Sequence, residues 1–250
     1  MNFVTPEAAV SIINSNERVF IHGGAATPTR LVHALTNRHA ELSGVEITHL
    51  HTEGEAPYSD PVYTDSFHVN AFFVGKNIRK HVNEVNVQYI PMFLSEIPLF
   101  IRRKKYPIDV AIVQVSPPDV HGFCSLGISV DIAKTACEVA RKIIALVNPN
   151  MPRSLGDGFI HHSKFAAAVY AEDPIHEIGN GKMTETEIAI GKHVAALVED
   201  GASLQMGIGG IPNAVLQFLT NHKNLGVHTE MFSDGILPLV KSGVINGKLK

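Results

Sequence analysis

Cysteine is scarce in this chain. Cys124 and Cys137 are the only two. They form no C-x-x-C, which excludes a disulfide framework and fits a reducing cytoplasm. Long apolar runs are missing as well, and none is long enough to span a bilayer as a helix. The opening residues, Met1-Asn2-Phe3-Val4-Thr5-Pro6-Glu7, carry no basic patch and no apolar segment, so no secretory signal is read there. Charge of one sign is not in excess. A net charge of −3 gives no reason to expect nucleic acid or an anionic membrane as partner. Metal-ligand spacing is absent too. The 14 histidines are scattered, and neither His22, His51-Thr52-Glu53 nor His161-His162 makes an H-E-x-x-H or similar pattern, so no metal is assigned.

What is present is the composition of a globular protein, 45% hydrophobic and 18% charged. At 250 residues it has room for one large domain or two small ones. Thr5-Pro6-Glu7 reads as a helix N-cap followed by proline at the first helical position. Arg18-Val19-Phe20-Ile21 is a short strand ending at Gly23-Gly24, and Pro28 opens a helix with Leu31, Val32 and Leu35 on one side. Strands are predicted over Val45 to Leu50, Phe67 to Val74, Val87 to Ile90 and Lys142 to Val147. Helices are predicted over Gly75 to Val85, from Ser95, over Asp131 to Ala140 and over Glu185 to Val198. Ile108 to Val115 is a run rich in β-branched residues, the pattern of a strand covered on both faces. Alternation of strand and helix predicts an α/β fold with a mainly parallel sheet.

The chain also repeats its own opening. A helix, the strand Arg18 to Ile21, Gly23-Gly24 and the Pro28 helix are matched by the Glu185 helix, Ser203 to Met206, Gly209-Gly210 and the Pro212 helix. Val45 to Leu50 and Leu225 to His228 are then the corresponding second strands. This organisation predicts one domain over residues 1–183 and the start of a second, similar domain over 184–250. Two or three elements do not close a sheet, so the second domain is expected to be incomplete here.

Three segments carry candidate chemistry. Gln205-Met206-Gly207-Ile208-Gly209-Gly210-Ile211-Pro212 is not a dinucleotide fingerprint, since that needs glycine where Pro212 stands, and no Gly-Lys-Ser/Thr follows to make a P-loop. An ordinary tight turn explains its glycines. So does a turn whose bare N–H groups receive a thioester or phosphate, with Pro212 starting a helix. Glu230 ends a short apolar strand in Val227-His228-Thr229-Glu230-Met231-Phe232-Ser233-Asp234-Gly235. A solvated surface glutamate is the ordinary reading. A nucleophilic carboxylate beside an oxyanion site is the functional one. Asp119, in Ser116-Pro117-Pro118-Asp119-Val120-His121-Gly122, either caps a turn or supports a site at a strand end. Cys124 has no neighbour that marks an activated thiolate. The run Arg102-Arg103-Lys104-Lys105 reads as a solvated helix end.

Together, Val115 to Gly127, Gly207 to Pro212 and His228 to Gly235 resemble the acetyl-CoA hydrolase/transferase family, in particular its 4-hydroxybutyrate and butyryl-CoA:acetate CoA-transferases. The resemblance runs along essentially the whole chain. It implies a CoA-transferase-like α/β domain followed by the start of a second one. It implies that Glu230 is the nucleophile, that Gly207, Gly209 and Gly210 line the CoA thioester, that Gln205 lies beside the glutamate and that Asp119 supports the site. Coenzyme A is then substrate, not cofactor, and the partners are an acyl-CoA and a short-chain carboxylate in a cytoplasmic homo-oligomer. Family members continue well past residue 250, so a fragment is expected. The rival expectations are an acyl-CoA hydrolase on the same scaffold, an inactive fragment or interaction module, and a sugar-phosphate isomerase or other ligand-binding protein of related fold.

Overall fold

The computed structural model describes residues 1–82, 86–177, 179 and 181–249. It divides into two compact units, Met1–Glu177 and Ile178–Lys250. The first unit begins with α1 (Pro6–Val10), whose N-cap Thr5 accepts the Ala8 N–H through its hydroxyl. Then come β1 (Arg18–Ile21), α2 (Thr29–Thr36), β2 (Val45–His49), β3 (Phe67–Ala71), β4 (Val87–Tyr89) and α3 (Ile97–Arg102). They are followed by β5 (Val110–Val115), β6 (Phe123–Ser125), α4 (Ala133–Val139), β7 (Lys142–Val147), β8 (Phe159–His161) and β9 (Ala167–Tyr170). Seven of these strands form one sheet in the order β4-β3-β2-β1-β5-β7-β9, and every pairing is parallel.

Strand β5 shows why the sequence folds this way. All six of its residues are buried. Val110 and Ile112 enter a core with α1 and α2 residues such as Val10, Leu31 and Leu35. Ala111, Val113 and Val115 enter a second core with Ile97, Ile101, Ala133 and Ala136 of α3 and α4. A strand covered on both faces has no solvent-facing side, which is why apolar residues fill it except for Gln114, itself buried and accepting a hydrogen bond from Asn148. The strand order reverses between β1 and β5, the switch point of an open α/β sheet. There His22, fully buried, ties the two strands to the loop beyond them. Its Nε2 lies 2.5 Å from the Ser129 carbonyl and its Nδ1 accepts the Gln114 N–H at 3.2 Å. Burial pushes its pKa down, so the neutral ring fills this role.

Two expectations change. The predicted helix over Gly75 to Val85 is a turn followed by a single 3-10 turn, Arg79–His81, and its last three residues lie outside the described residues. Asn77 diverts this segment by donating its side-chain amide to the carbonyls of Thr52 and Gly54 and to the Thr52 hydroxyl. Beside the main sheet, β6 and β8 form a short antiparallel pair that the sequence pattern did not indicate.

The second unit contains α5 (Glu185–Ala195), β10 (Ser203–Leu204), α6 (Gly210–Gln217), β11 (Gly226–Val227) and α7 (Ile236–Lys241). Strands β10 and β11 pair in parallel, with Leu204 opposite Val227. A core of its own includes Ala195, Met206, Leu216, Leu219, Leu225, Ile236 and Leu239. Among the described residues, no helix is long and apolar enough to cross a membrane.

Candidate functional site

The geometry around Glu230 follows from the β10–β11 register. Leu204 faces Val227, and the His228 N–H donates to the Leu204 carbonyl at 2.9 Å. Two residues further on, Thr229 takes over from the backbone ladder. Its hydroxyl accepts the Met206 N–H at 3.0 Å and lies 2.9 Å from the Met206 carbonyl and 3.0 Å from that of Met231. This clamp carries the pairing past the end of the strands. Gly207 and Glu230 each directly follow a residue of this clamp, Met206 and Thr229. Gln205 precedes the clamped Met206 on the other strand and is exposed.

The glycine turn leaves the clamp without spending its donors. Among the described residues, the N–H groups of Gly207, Ile208, Gly209 and Gly210 have no acceptor. Gly209 has φ 124°, a left-handed conformation that favours glycine, and a Cβ built there would meet nothing within 4 Å. It is the N-cap of α6, with no side chain capping it. The turn is therefore open, and the positive end of a helix starts at its far edge. Glu230 is exposed, and its carboxylate makes no hydrogen bond or ion pair with any described residue. On the far side of Glu230, Ser233 donates to the Asn213 side chain at 2.6 Å, tying the following loop to α6. A free carboxylate after one residue of the clamp and a turn of bare N–H groups after the other are the kinds of group that a nucleophile and an oxyanion site use.

Asp119 stands in the first unit, in the loop from β5 to β6. Its Oδ1 accepts the N–H groups of His121 and Phe123, both at 2.9 Å, and its Oδ2 pairs with Arg153 at 2.5 Å. The Phe123 backbone bond, reinforced by His121 and Arg153, holds its carboxyl below the ordinary range. Every oxygen is engaged in shaping the loop. The first unit also has a groove of about 680 Å³ lined by Thr27, Arg30, Gln114, Asp173 and His176. Its polar groups are largely committed to one another: Arg30 grips Asp173 through two bonds, Thr29 meets His176, and Gln114 accepts from Asn148. Both cysteines are buried and free, with thiols pushed up to about 11 for Cys124 and about 12 for Cys137 by desolvation. No group of three or more His, Cys, Asp or Glu able to hold a metal ion occurs among the described residues.

The model of the acetyl-CoA hydrolase/transferase N-terminal domain matches residues 1–200. The chain belongs to this family. Its curated relatives include the 4-hydroxybutyrate coenzyme A transferase of Clostridium kluyveri, 47% identical over 247 residues, which cover 99% of this chain and 58% of that protein. The succinyl-CoA:acetate/propanoyl-CoA:succinate CoA transferase of Fasciola hepatica is also 47% identical, over 95% of this chain and 50% of the relative. Among solved structures, a 4-hydroxybutyrate CoA-transferase from Porphyromonas gingivalis superposes with a TM-score of 0.86 at 35% identity, covering 99% of this chain and 59% of that one. The chain thus spans little more than half the length of these family members.

Sequence reasoning missed Thr229 as the clamp that ties Met206 and Met231 together beyond the β10–β11 strands. It also missed Glu187, although Thr184-x-x-Glu187 is a legible capping-box pattern.

Proposed function

We propose that the protein moves coenzyme A between a short-chain acyl-CoA and a carboxylic acid such as acetate, by way of a thioester on Glu230. The observation that supports this reading is an exposed carboxylate free of hydrogen bonds and ion pairs, and a glycine turn of unpaired N–H groups, following the two residues of the Met206–Thr229 clamp. Family membership and the names of the 47% identical relatives support the same reaction class.

The chemistry balances. A Glu230 carboxylate oxygen attacks the thioester carbonyl, the C–S bond breaks, and CoA leaves as a thiolate. This gives a mixed anhydride of Glu230 and the acyl group. The thiolate then attacks the glutamyl carbonyl, the anhydride C–O bond breaks, and the first acid departs as a carboxylate. The acceptor carboxylate repeats these steps in reverse and leaves with CoA. Splitting the exchange this way is nucleophilic catalysis with ping-pong kinetics. Each step passes through a tetrahedral oxyanion, for which the amides of the Gly207–Gly210 turn are the donors in this reading; one such donor is typically worth roughly 3–4 kcal/mol. Gln205 flanks the thioester. Asp119 acts as a positioning residue, fixing the β5–β6 loop. The buried, unpaired cysteines suit a cytoplasmic protein, and a homo-oligomer is the assembly we expect. Coenzyme A enters and leaves as substrate.

The test is Glu230→Gln in the protein as expressed from its natural reading frame. The amide keeps the size and removes the nucleophile. CoA transfer from butyryl-CoA to acetate should fall by several orders of magnitude while the melting temperature stays within a few degrees. Undiminished transfer would sink the proposal.

A further inference from the structure

Helices α5 and α6 meet through residues spaced four apart on both. A Cβ at Gly191 would lie 2.7 Å from the Ala214 Cβ and 2.8 Å from its backbone. One turn earlier on each helix, the Cβ position of Gly210 falls on the carboxylate of Glu187. Glu187 and Gly191 thus pack against Gly210 and Ala214: a side chain at Gly191 would meet the α6 backbone, and one at Gly210 would have to displace the Glu187 carboxylate. Residues at i and i+4 share a helix face, so this is one continuous ridge.

Glu187 is held from its own side as well. Its Oε2 accepts the Thr184 N–H at 2.7 Å and the Thr184 hydroxyl at 2.9 Å, while the Thr184 Oγ1 accepts the Glu187 N–H at 3.2 Å. That capping box starts α5. The bonds from Thr184 lower the Glu187 pKa, which keeps the group ionised at neutral pH. The carboxylate therefore stands fixed at the N-terminus of α6, where negative charge is favourable. Gly210 is both the first residue of α6 and the last of the glycine turn.

We infer that Glu187 is a positioning residue for the glycine turn. Anchored by Thr184, it fills the space over Gly210 and fixes the end of the turn, leaving Gly207 and Gly209 open to a ligand. The catalytic part of this inference rests on the transferase reading; the packing part does not.

The experiment is a double-variant cycle in the full natural protein. Gly210→Ala alone should lower the melting temperature, because its methyl group displaces Glu187. Glu187→Ala alone should also lower it, through the lost cap. Together, Ala at 210 occupies the space Glu187 has left, so the double variant should melt no lower than Glu187→Ala alone. Additive losses would overturn the contact. For the turn, Glu187→Ala should reduce kcat at least tenfold with the KM for butyryl-CoA unchanged within twofold. Glu187→Gln, which still accepts the Thr184 bonds, should restore kcat to within threefold of wild type. An unchanged kcat in Glu187→Ala, or no rescue by Glu187→Gln, would overturn the positioning role. A wild-type protein without transfer activity would defeat the transferase reading instead, and the melting data would still decide the contact.

Discussion

Thr229 shows how much of the site depends on one hydroxyl. It engages both the N–H and the carbonyl of Met206 and the carbonyl of Met231, where the β10–β11 ladder has ended. Thr229→Val keeps the shape and removes these bonds, leaving the Met206 N–H without its acceptor. An unsatisfied buried group costs about 1–3 kcal/mol. We expect a loss of that size in urea denaturation, with a larger proportional loss in transfer, since the variant frees Met206, and the glycine turn that follows it, from Thr229. Transfer unchanged in Thr229→Val would separate the clamp from the site. At this scale the sequence marked Glu230 and the glycines as candidates, through their place at strand ends and through the family resemblance of the segments that hold them. It was silent about Thr229, because a threonine at the end of a two-residue strand has no periodicity to mark it. Asp119 was legible as a turn-former, and its three bonds have that geometry. Its lowered pKa makes a signed prediction. The folded carboxyl titrates below the unfolded one, so its stabilisation is present above the ordinary aspartate range. It is lost as pH falls through the folded-state value. The melting-temperature gap between wild type and Asp119→Asn should therefore be widest near neutral pH and shrink in acid. A gap independent of pH would show that the charge of Asp119 does not stabilise the loop.

The elements read from hydrophobic pattern are those with long apolar stretches. Strand β5 was unmistakable, since a run from Ile108 to Val115 has no solvent face to lend it alternation. Ile112→Ala at its centre, fully buried between β1 and β7, should cost about 2–5 kcal/mol in urea denaturation. A loss under 1 kcal/mol would contradict the two-sided core. The antiparallel pair of β6 and β8 could not be read, because each strand has three residues and they meet across a long separation. Strand β9 was missed for another reason: Ala167-Ala168 is weak in β propensity, and its place beside β7 is a tertiary effect. The helix expected from Gly75 failed because one side chain, Asn77, found better partners in the Thr52–Gly54 loop. Such competition from side-chain hydrogen bonds leaves no trace in hydropathy.

Across the whole molecule, the repeated opening seen in the sequence has a structural counterpart in each unit: helix, strand, glycine turn, helix, parallel strand. Asp173 is held by Arg30 and His176 by Thr29, while Thr184 starts the capping box of α5. Limited proteolysis should therefore cut first between His176 and Thr184, with the two units surviving as separate fragments. First cleavage inside β5 would contradict the division. The central claim is that Glu230 carries coenzyme A, and one measurement tests it most directly. The natural protein is treated with butyryl-CoA without an acceptor, reduced with borohydride, digested and mapped by mass spectrometry. The account predicts that the glutamyl thioester is reduced to the corresponding alcohol at Glu230 and nowhere else, and that the signal falls when excess acetate is added first. Modification of another residue, or none in a protein that still transfers CoA, would contradict it.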